Sequence, residues 1–277
     1  MSEKIARRNV TPKGISKENR KLLTALHRNF PGPFSVDESV EVLNLERERV
    51  ARLLPYLASQ GWLKRIHQGL YTVVPLEATG PDQWLEDPWV LISRVFQPGY
   101  IGGWSACHHW GLTDQLFRSV VVYTTKTVRE REGTIDGAAY VARVIIDARL
   151  FGLRQIWREK VWVTVSDPSR TLVDVLDTPT LGGGIRHVGE VLETYFHSEH
   201  ANEALLLQYI EQFGNGAVYK RLGLMAERLQ VGSEHLLERC QERLTRGTAK
   251  LDPDGPDDGE LNRAWGVIEN VRVGSER

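Results

Sequence analysis

NLERERVARLLPYLASQGWLKRIHQGLYTVVP, residues 44–75, changes its hydrophobic period once, at Gly61. Before that glycine, Val50, Leu53, Leu54 and Leu57 recur at spacings of three and four. This predicts a helix from about Glu46 to Gly61 with one buried stripe. Glu46 and Glu48 complement the positive end of the helix dipole. Away from the stripe stand Arg47, Arg49, Arg52 and Tyr56, side chains able to donate to phosphates and purine edges. Pro55 falls inside the helix, where a proline removes a backbone hydrogen bond at a cost of about 3 kcal/mol; a bend or a restart is expected there. After Gly61 the pattern alternates, with Trp62, Leu63 and Ile66 before a His67-Gln68-Gly69 turn and Leu70, Tyr71 and Val73 after it. That is a hairpin signal.

Upstream, Leu22, Leu23, Leu26 and Phe30 repeat at helical spacing behind Ser16, which offers an N-cap. Pro31-Gly32-Pro33 ends that helix, and Ser35 then caps a short second one carrying Val36, Val40 and Leu43. Asn44 and Leu45 make the turn into the third. Three helices followed by a hairpin is the order of a winged helix-turn-helix, whose last helix enters a DNA major groove while the hairpin lies beside it. Arg47, Arg49, Arg52 and Tyr56 are the expected groove contacts, and Lys64, Arg65, His67 and Gln68 the expected wing contacts. A basic N-terminal arm with Lys4, Arg7, Arg8 and Lys13 is placed to enter a minor groove.

Charge points the same way. The 277 residues carry a net charge of −1, but through Leu76 there are 13 Lys and Arg against 7 Asp and Glu, net +6, and after it 22 against 29, net −7. The positive charge is gathered where a small DNA-binding domain fits. The opening MSEKIARRNVTPKG has no apolar core of the kind a secretory leader carries, and no later run approaches the roughly 18 apolar residues of a membrane span. Together with two widely spaced cysteines, Cys107 and Cys240, this leads to an expected cytoplasmic location.

The expected organisation is α+β. A winged-helix domain with its arm covers residues 1–76, a linker 77–87, a larger mixed α+β domain 88–245, and a flexible acidic tail 246–277. In the larger domain, Ser119–Thr125, Ala139–Ile146 and Val161–Val165 read as strands, and helical periodicity dominates from Asp167 onward.

Features that suggest catalysis have simpler readings. Gly182-Gly183-Gly184 precedes a helix but matches neither GxGxxG nor the Walker pattern. Cys107, His108 and His109 are adjacent, which points helical side chains apart rather than at one metal. Ser105 lacks the final glycine of GxSxG and reads as a cap or a core hydroxyl. Asp167, Arg170 and Asp174 share a helix face, with Asp167 as N-cap, Pro168 at the first position and Arg170 paired to Asp174; in a functional version Arg170 touches a partner or a phosphate. No metal, cofactor or catalytic residue is expected.

Three segments carry a family likeness. RIHQGLYTVVP resembles the wing-ending signature of AbiEi-type antitoxins and related transcriptional regulators of type IV toxin-antitoxin pairs, YIGGWSACHHWGLTD resembles their helix ending in Gly-Leu, and VSDPSRTLVDVLDTPTLGGGIRHVGEVL resembles their Asp-Pro-x-Arg-Thr-Leu-x-Asp helix and following turn. The likeness spans Ser16 to Leu229. Pro55 and the chain after Gln230 depart from it. It implies a repressor that binds inverted repeats in its own promoter, with two copies on the operator, and whose second domain counteracts a nucleotidyltransferase-like toxin. Two other readings stand beside it. One is a winged-helix-targeted nuclease, disfavoured because the chain contains no [DE]xK. The other is a repressor sensing a small molecule in a pocket lined by Trp104, Trp110, Trp157 and Trp162.

Overall fold

The computed structural model describes residues 14–75 and 85–273. Lys4, Arg7, Arg8 and Lys13 of the expected arm, and residues 76–84 of the expected wing end and linker, lie outside the described residues. The fold is mixed α+β with several sheets. It divides into two compact units. The first takes in the described residues of Met1–Gln97 with Glu132–Tyr140 and Ile156–Val163, and the second Pro98–Arg131, Val141–Gln155 and the described part of Thr164–Arg277.

In the first unit Ser16 caps α1 (Lys17–Asn29) by accepting from the Asn19 amide at 3.2 Å. The Pro31–Pro33 break leads into a two-residue strand, β1 (Phe34–Ser35). Ser35 then starts α2 (Val36–Leu43) with a capping box: its amide donates to Glu38 at 2.7 Å and its hydroxyl accepts from the Glu38 amide at 3.2 Å. Asn44, in the left-handed region at φ 49°, makes the turn that a short polar side chain tolerates. It is followed by α3 (Arg47–Ser59), β2 (Leu63–His67), β3 (Leu70–Val73) and α4 (Pro88–Val95). The strands form an antiparallel sheet in the order β1-β3-β2, with Gly69 at φ 75° closing the β2–β3 turn. Leu26, Phe34, Leu43, Val50, Leu54, Leu57, Leu63 and Tyr71 make one core, with the Phe30 and Phe34 rings stacked 4.5 Å apart.

The rest of the chain runs β4 (Gly99–Ile101), α5 (Gly103–His109), β5 (Ser119–Thr124), β6 (Glu132–Ile135), β7 (Ala138–Val144), β8 (Leu153–Arg158), β9 (Val161–Ser166) and α6 (Pro168–Asp177). Four helices follow: α7 (Ile185–His197), α8 (Glu203–Phe213), α9 (Gly216–Leu229) and α10 (Glu234–Glu242). Strands β4 to β9 form one sheet ordered β6-β7-β5-β4-β9-β8, in which β4 is antiparallel to β5 and parallel to β9. The three strands expected from β-branched runs are β5, β7 and β9. Strands β4, β6 and β8 carry weaker signals: GYI is short, EGTI contains glycine, and LRQIWR alternates with charge.

At the centre of the second unit's helical part lies α6, whose residues 168–176 are all buried. Asp167 caps it by accepting from the Arg170 amide at 2.9 Å, and Pro168 takes the first helical position. Arg170 is 0% exposed. Its Nε and Nη2 donate to Asp174 at 3.1 and 3.0 Å, Nη2 also to the Tyr100 hydroxyl at 2.8 Å, and Nη1 to the Arg149 and Phe151 carbonyls at 2.9 and 3.2 Å. The expectation that Arg170 touches a partner is therefore corrected: every nitrogen of its guanidinium is spent inside the fold. Burial raises the Asp174 carboxyl to about 6, against the opposing pull of Arg170 and Tyr100. Both cysteines are free, and burial pushes their thiols up to about 12.

The expected flexible tail is corrected in the same way. Residues 249–269 contain β10 (Ala249–Lys250), β11 (Glu260–Asn262) and β12 (Val267–Glu269), a sheet ordered β10-β12-β11. Leu251, Trp265 and Val267 are buried against the second unit's core. Trp265 donates its indole N–H to Glu227 at 2.8 Å and lies over Gly223, where a Cβ would come within 2.0 Å of Cζ3. Arg221 donates to the Leu176 carbonyl at the end of α6 and to the Lys250 carbonyl, at 2.8 and 3.0 Å. Gly223→Ala is expected to destabilise the protein by about 2 kcal/mol through overpacking, and Trp265→Ala by about 3–5 kcal/mol, read by urea denaturation. A chain ending at Thr245 is expected to lose stability as well; an unchanged unfolding midpoint would refute the integral role of this segment.

Candidate nucleic-acid interface

Helix α3 hides its apolar stripe as its sequence spacing requires, with Val50, Leu54 and Leu57 each 0% exposed. Pro55 is exposed, and the helix runs unbroken from Arg47 to Ser59 with the proline inside it. No restart occurs there, because the buried leucines on either side of Pro55 pin both halves of the helix to one core. Glu46 is the N-cap residue but makes no side-chain cap. Away from the stripe Arg49 and Arg52 are exposed and Tyr56 is 46% exposed, and Arg47, in line with Val50 and Leu54 at the start of the helix, is exposed as well.

All three arginines have acceptors within the unit. Arg47 Nε donates to Asp37 at 2.8 Å, Arg49 Nη2 to Glu18 at 2.7 Å, and Arg52 Nε to the Glu48 carbonyl at 3.3 Å. The side chains of both ion pairs keep more than half their surface in water. Such pairs contribute about 0–1 kcal/mol, so exchanging either one for another partner costs little. Glu18 and Asp37, in the first turns of α1 and α2, were not marked by any local pattern. They lie 31 and 10 residues from their arginines.

The β2–β3 hairpin divides its expected contacts. Arg65, His67 and Gln68 are exposed. Lys64 is not: its side chain is 9% exposed and its Nζ lies 2.8 Å from Asp136 Oδ2 in the β6–β7 turn, itself 7% exposed. Lys64 as a wing contact is corrected, since its ammonium faces the protein and its carboxylate partner is 72 residues distant. Other residues of the same unit hold this scaffold in place. Arg94 binds Glu38 and the Pro33 carbonyl, and Arg158 binds Asp87 at 2.7 Å with its guanidinium 4.8 Å from the Trp89 ring centre. Burial opposes the charge on Glu38, but hydrogen bonds from Arg94 and Ser35 outweigh it and hold the carboxyl below its ordinary range.

The remaining sequence candidates fall in different surroundings. Ser105 accepts from the Val121 amide at 3.0 Å as a core hydroxyl. Cys107 is buried, and among the described residues no group of three His, Cys, Asp or Glu is arranged to hold a metal ion. Gly182–Gly184 lead into α7. The indoles of Trp104 and Trp110 donate to the Ser119 and Ser166 carbonyls, both at 2.7 Å. Trp157 and Trp162 stand edge to face on the surface, 58% and 62% exposed.

Because Asp136 Oδ2 has no other hydrogen-bond partner among the described residues, removing Lys64 strands a buried charge. Lys64→Ala is expected to cost about 3–5 kcal/mol and the paired Lys64→Met, Asp136→Asn change, which removes both charges and keeps a residue suited to the φ of 49° at position 136, less. Arg65→Ala next to it is expected to stay within about 0.5 kcal/mol. Equal unfolding midpoints for Lys64→Ala and Arg65→Ala would show that the pair is not a structural clamp.

No protein-family model matches this chain, and no curated protein does. A structural likeness is found with the crystal structure of the RV2827C protein from Mycobacterium tuberculosis, at a TM-score of 0.61 and 13% sequence identity over 94% of each chain. Among the described residues no helix is long and apolar enough to cross a membrane. The likeness is one of fold.

Proposed function

We propose that the first unit is a winged helix-turn-helix that binds duplex DNA and that the chain is a transcriptional repressor of its own promoter. The observation that carries this reading is α3: one face is sealed by Val50, Leu54 and Leu57 while Arg47, Arg49, Arg52 and Tyr56 remain in water, and His67 and Gln68 of the hairpin that follows are exposed too. The major groove is about 12 Å wide and admits one helix, and the elements run helix, strand, helix, helix, hairpin, as such modules do. In this reading α3 enters the groove, Arg65, His67 and Gln68 lie along the backbone, and two copies occupy an inverted repeat.

The resemblance to AbiEi-type antitoxins extends the proposal. The second unit, with its own core, is assigned to counteracting a nucleotidyltransferase-like toxin. Buried Arg170 has no part in that contact, so the recognition surface lies elsewhere on the unit.

Gel shifts with the chain's own promoter test the first statement. Binding is expected to favour the promoter over random duplex and to weaken linearly in log affinity against log salt, with a slope of about −0.9 per phosphate neutralised. Replacing Arg47, Arg49 and Arg52 together by alanine is expected to reduce specific affinity by about 100-fold or more with little change in thermal midpoint. Wild-type protein that treats promoter and random DNA alike would sink the reading. Co-expression with the toxin tests the second statement: the triple alanine variant should still relieve growth arrest, since DNA binding and neutralisation are assigned to different units.

A further inference from the structure

The first unit carries a second basic surface, on α1. A rotation of about 100° per residue puts Lys17, Lys21, Thr24 and Arg28 within about 60° of one another around that helix, with Arg20 at their edge. All five are exposed, and Leu26, the buried residue of α1, lies on the opposite side. From Lys17 to Arg28 the stripe is about 16 Å long.

Nothing within the fold answers this charge. Among the described residues, Lys17, Arg20, Lys21 and Arg28 take part in no ion pair. Glu18 is the one acidic residue of α1 and stands one turn from Lys21, yet its Oε1 accepts from Arg49 of α3 at 2.7 Å. Lys17 and Lys21 are four residues apart, a spacing at which like charges on a helix repel. Lys17 and Arg20 also sit in the first turn, where the helix dipole favours anions. Only Arg28, in the last turn, suits the dipole. The arrangement works against the free helix and favours an anionic partner.

The form of the stripe says which anion. A lone phosphate or carboxylate meets one or two of these cations, whereas a polyanion with regularly repeated charge meets them all. Duplex DNA presents such a row of phosphates along each strand. Position agrees, because the Arg49–Glu18 bond joins the first turn of α1 to the exposed side of α3. The stripe thus borders the surface already assigned to the groove.

We propose that α1 lies along the phosphate backbone beside the groove that α3 enters, and that Lys17, Arg20, Lys21 and Arg28 supply affinity without regard to sequence. The proposal rests on the DNA-binding reading above and divides its labour: α3 selects the site and α1 holds the duplex.

The test uses the full chain with its promoter and a random duplex of equal length, each titrated over a series of salt concentrations. Lys17→Gln, Lys21→Gln and Arg28→Gln together remove three charges and keep good helix formers. Affinity for both duplexes is expected to fall by about tenfold or more and the salt slope by about 2–3, while the ratio between the duplexes stays within about twofold. The thermal midpoint of the free chain should not fall. The charge-keeping set Lys17→Arg, Lys21→Arg and Arg28→Lys should bind like wild type. A salt slope unchanged by the glutamine set, or a charge-keeping set as weak as the glutamine one, overturns the proposal. So does a glutamine set that binds DNA normally but no longer sediments with phosphatidylserine vesicles, since the stripe then serves a lipid surface. A wild-type chain that binds neither duplex sinks the DNA-binding reading itself. One that binds both alike, with the slope still lowered by the glutamine set, sinks the role of α3 and upholds that of α1.

Discussion

Burial of Val50, Leu54 and Leu57 fixes the rotation of α3, and everything assigned to the first unit depends on that rotation. Each side chain contributes about 1.5–3 kcal/mol by leaving water. A turn of the helix by one residue would expose part of the stripe and press a guanidinium toward the core, where an uncompensated charge costs several kcal/mol. The same stripe overrides the helix-breaking tendency of Pro55. It also sets where each arginine stands around the helix, and so which carboxylate it can reach. Local helix propensity alone enforces none of this.

Charged side chains of one type are sorted by their surroundings into opposite roles. Arg170 is sealed inside the second unit with all its nitrogens answered by Asp174, Tyr100 and two carbonyls. Its contribution is to join α6 to Tyr100 of β4 and to the Arg149–Phe151 segment. Arg47 and Arg49 make ion pairs of similar length in water, where screening and side-chain entropy leave little net stabilisation. Those weak pairs are compatible with exchange for DNA; the buried one is not. Lys64 makes the contrast within a single hairpin, since it and Arg65 are neighbours yet one is clamped by Asp136 and the other is exposed.

The C-terminal segment shows composition and structure diverging. LDPDGPDDGEL has the acidity and turn residues of a chain that stays unfolded. Its few apolar neighbours nevertheless find specific places: Trp265 on the notch left by Gly223, and Leu251 and Val267 in the same core. Asn270 secures the loop by donating to the Asp252 and Pro256 carbonyls, both at 2.8 Å. Carbonyl capture by Lys220 and Arg221 from α9 joins this segment to the helices.

By itself the sequence determined the features set within a turn or two of chain. These are the caps at Ser16, Ser35 and Asp167, the stripe and exposed arginines of α3, the hairpin around Gly69, the three β-branched strands, and the Asp167-Arg170-Asp174 helix start. Capping, hydrophobic period and turn chemistry act over about four residues, so they are written in adjacent letters. Only the tertiary structure decided that Lys64 is buried, that Arg47 and Arg49 are held by Asp37 and Glu18, that Arg170 is unreachable, and that the acidic C-terminal segment is packed. Those outcomes join residues 10 to 72 positions apart, and burial, which sets the strength of a charge pair, belongs to the folded core as a whole.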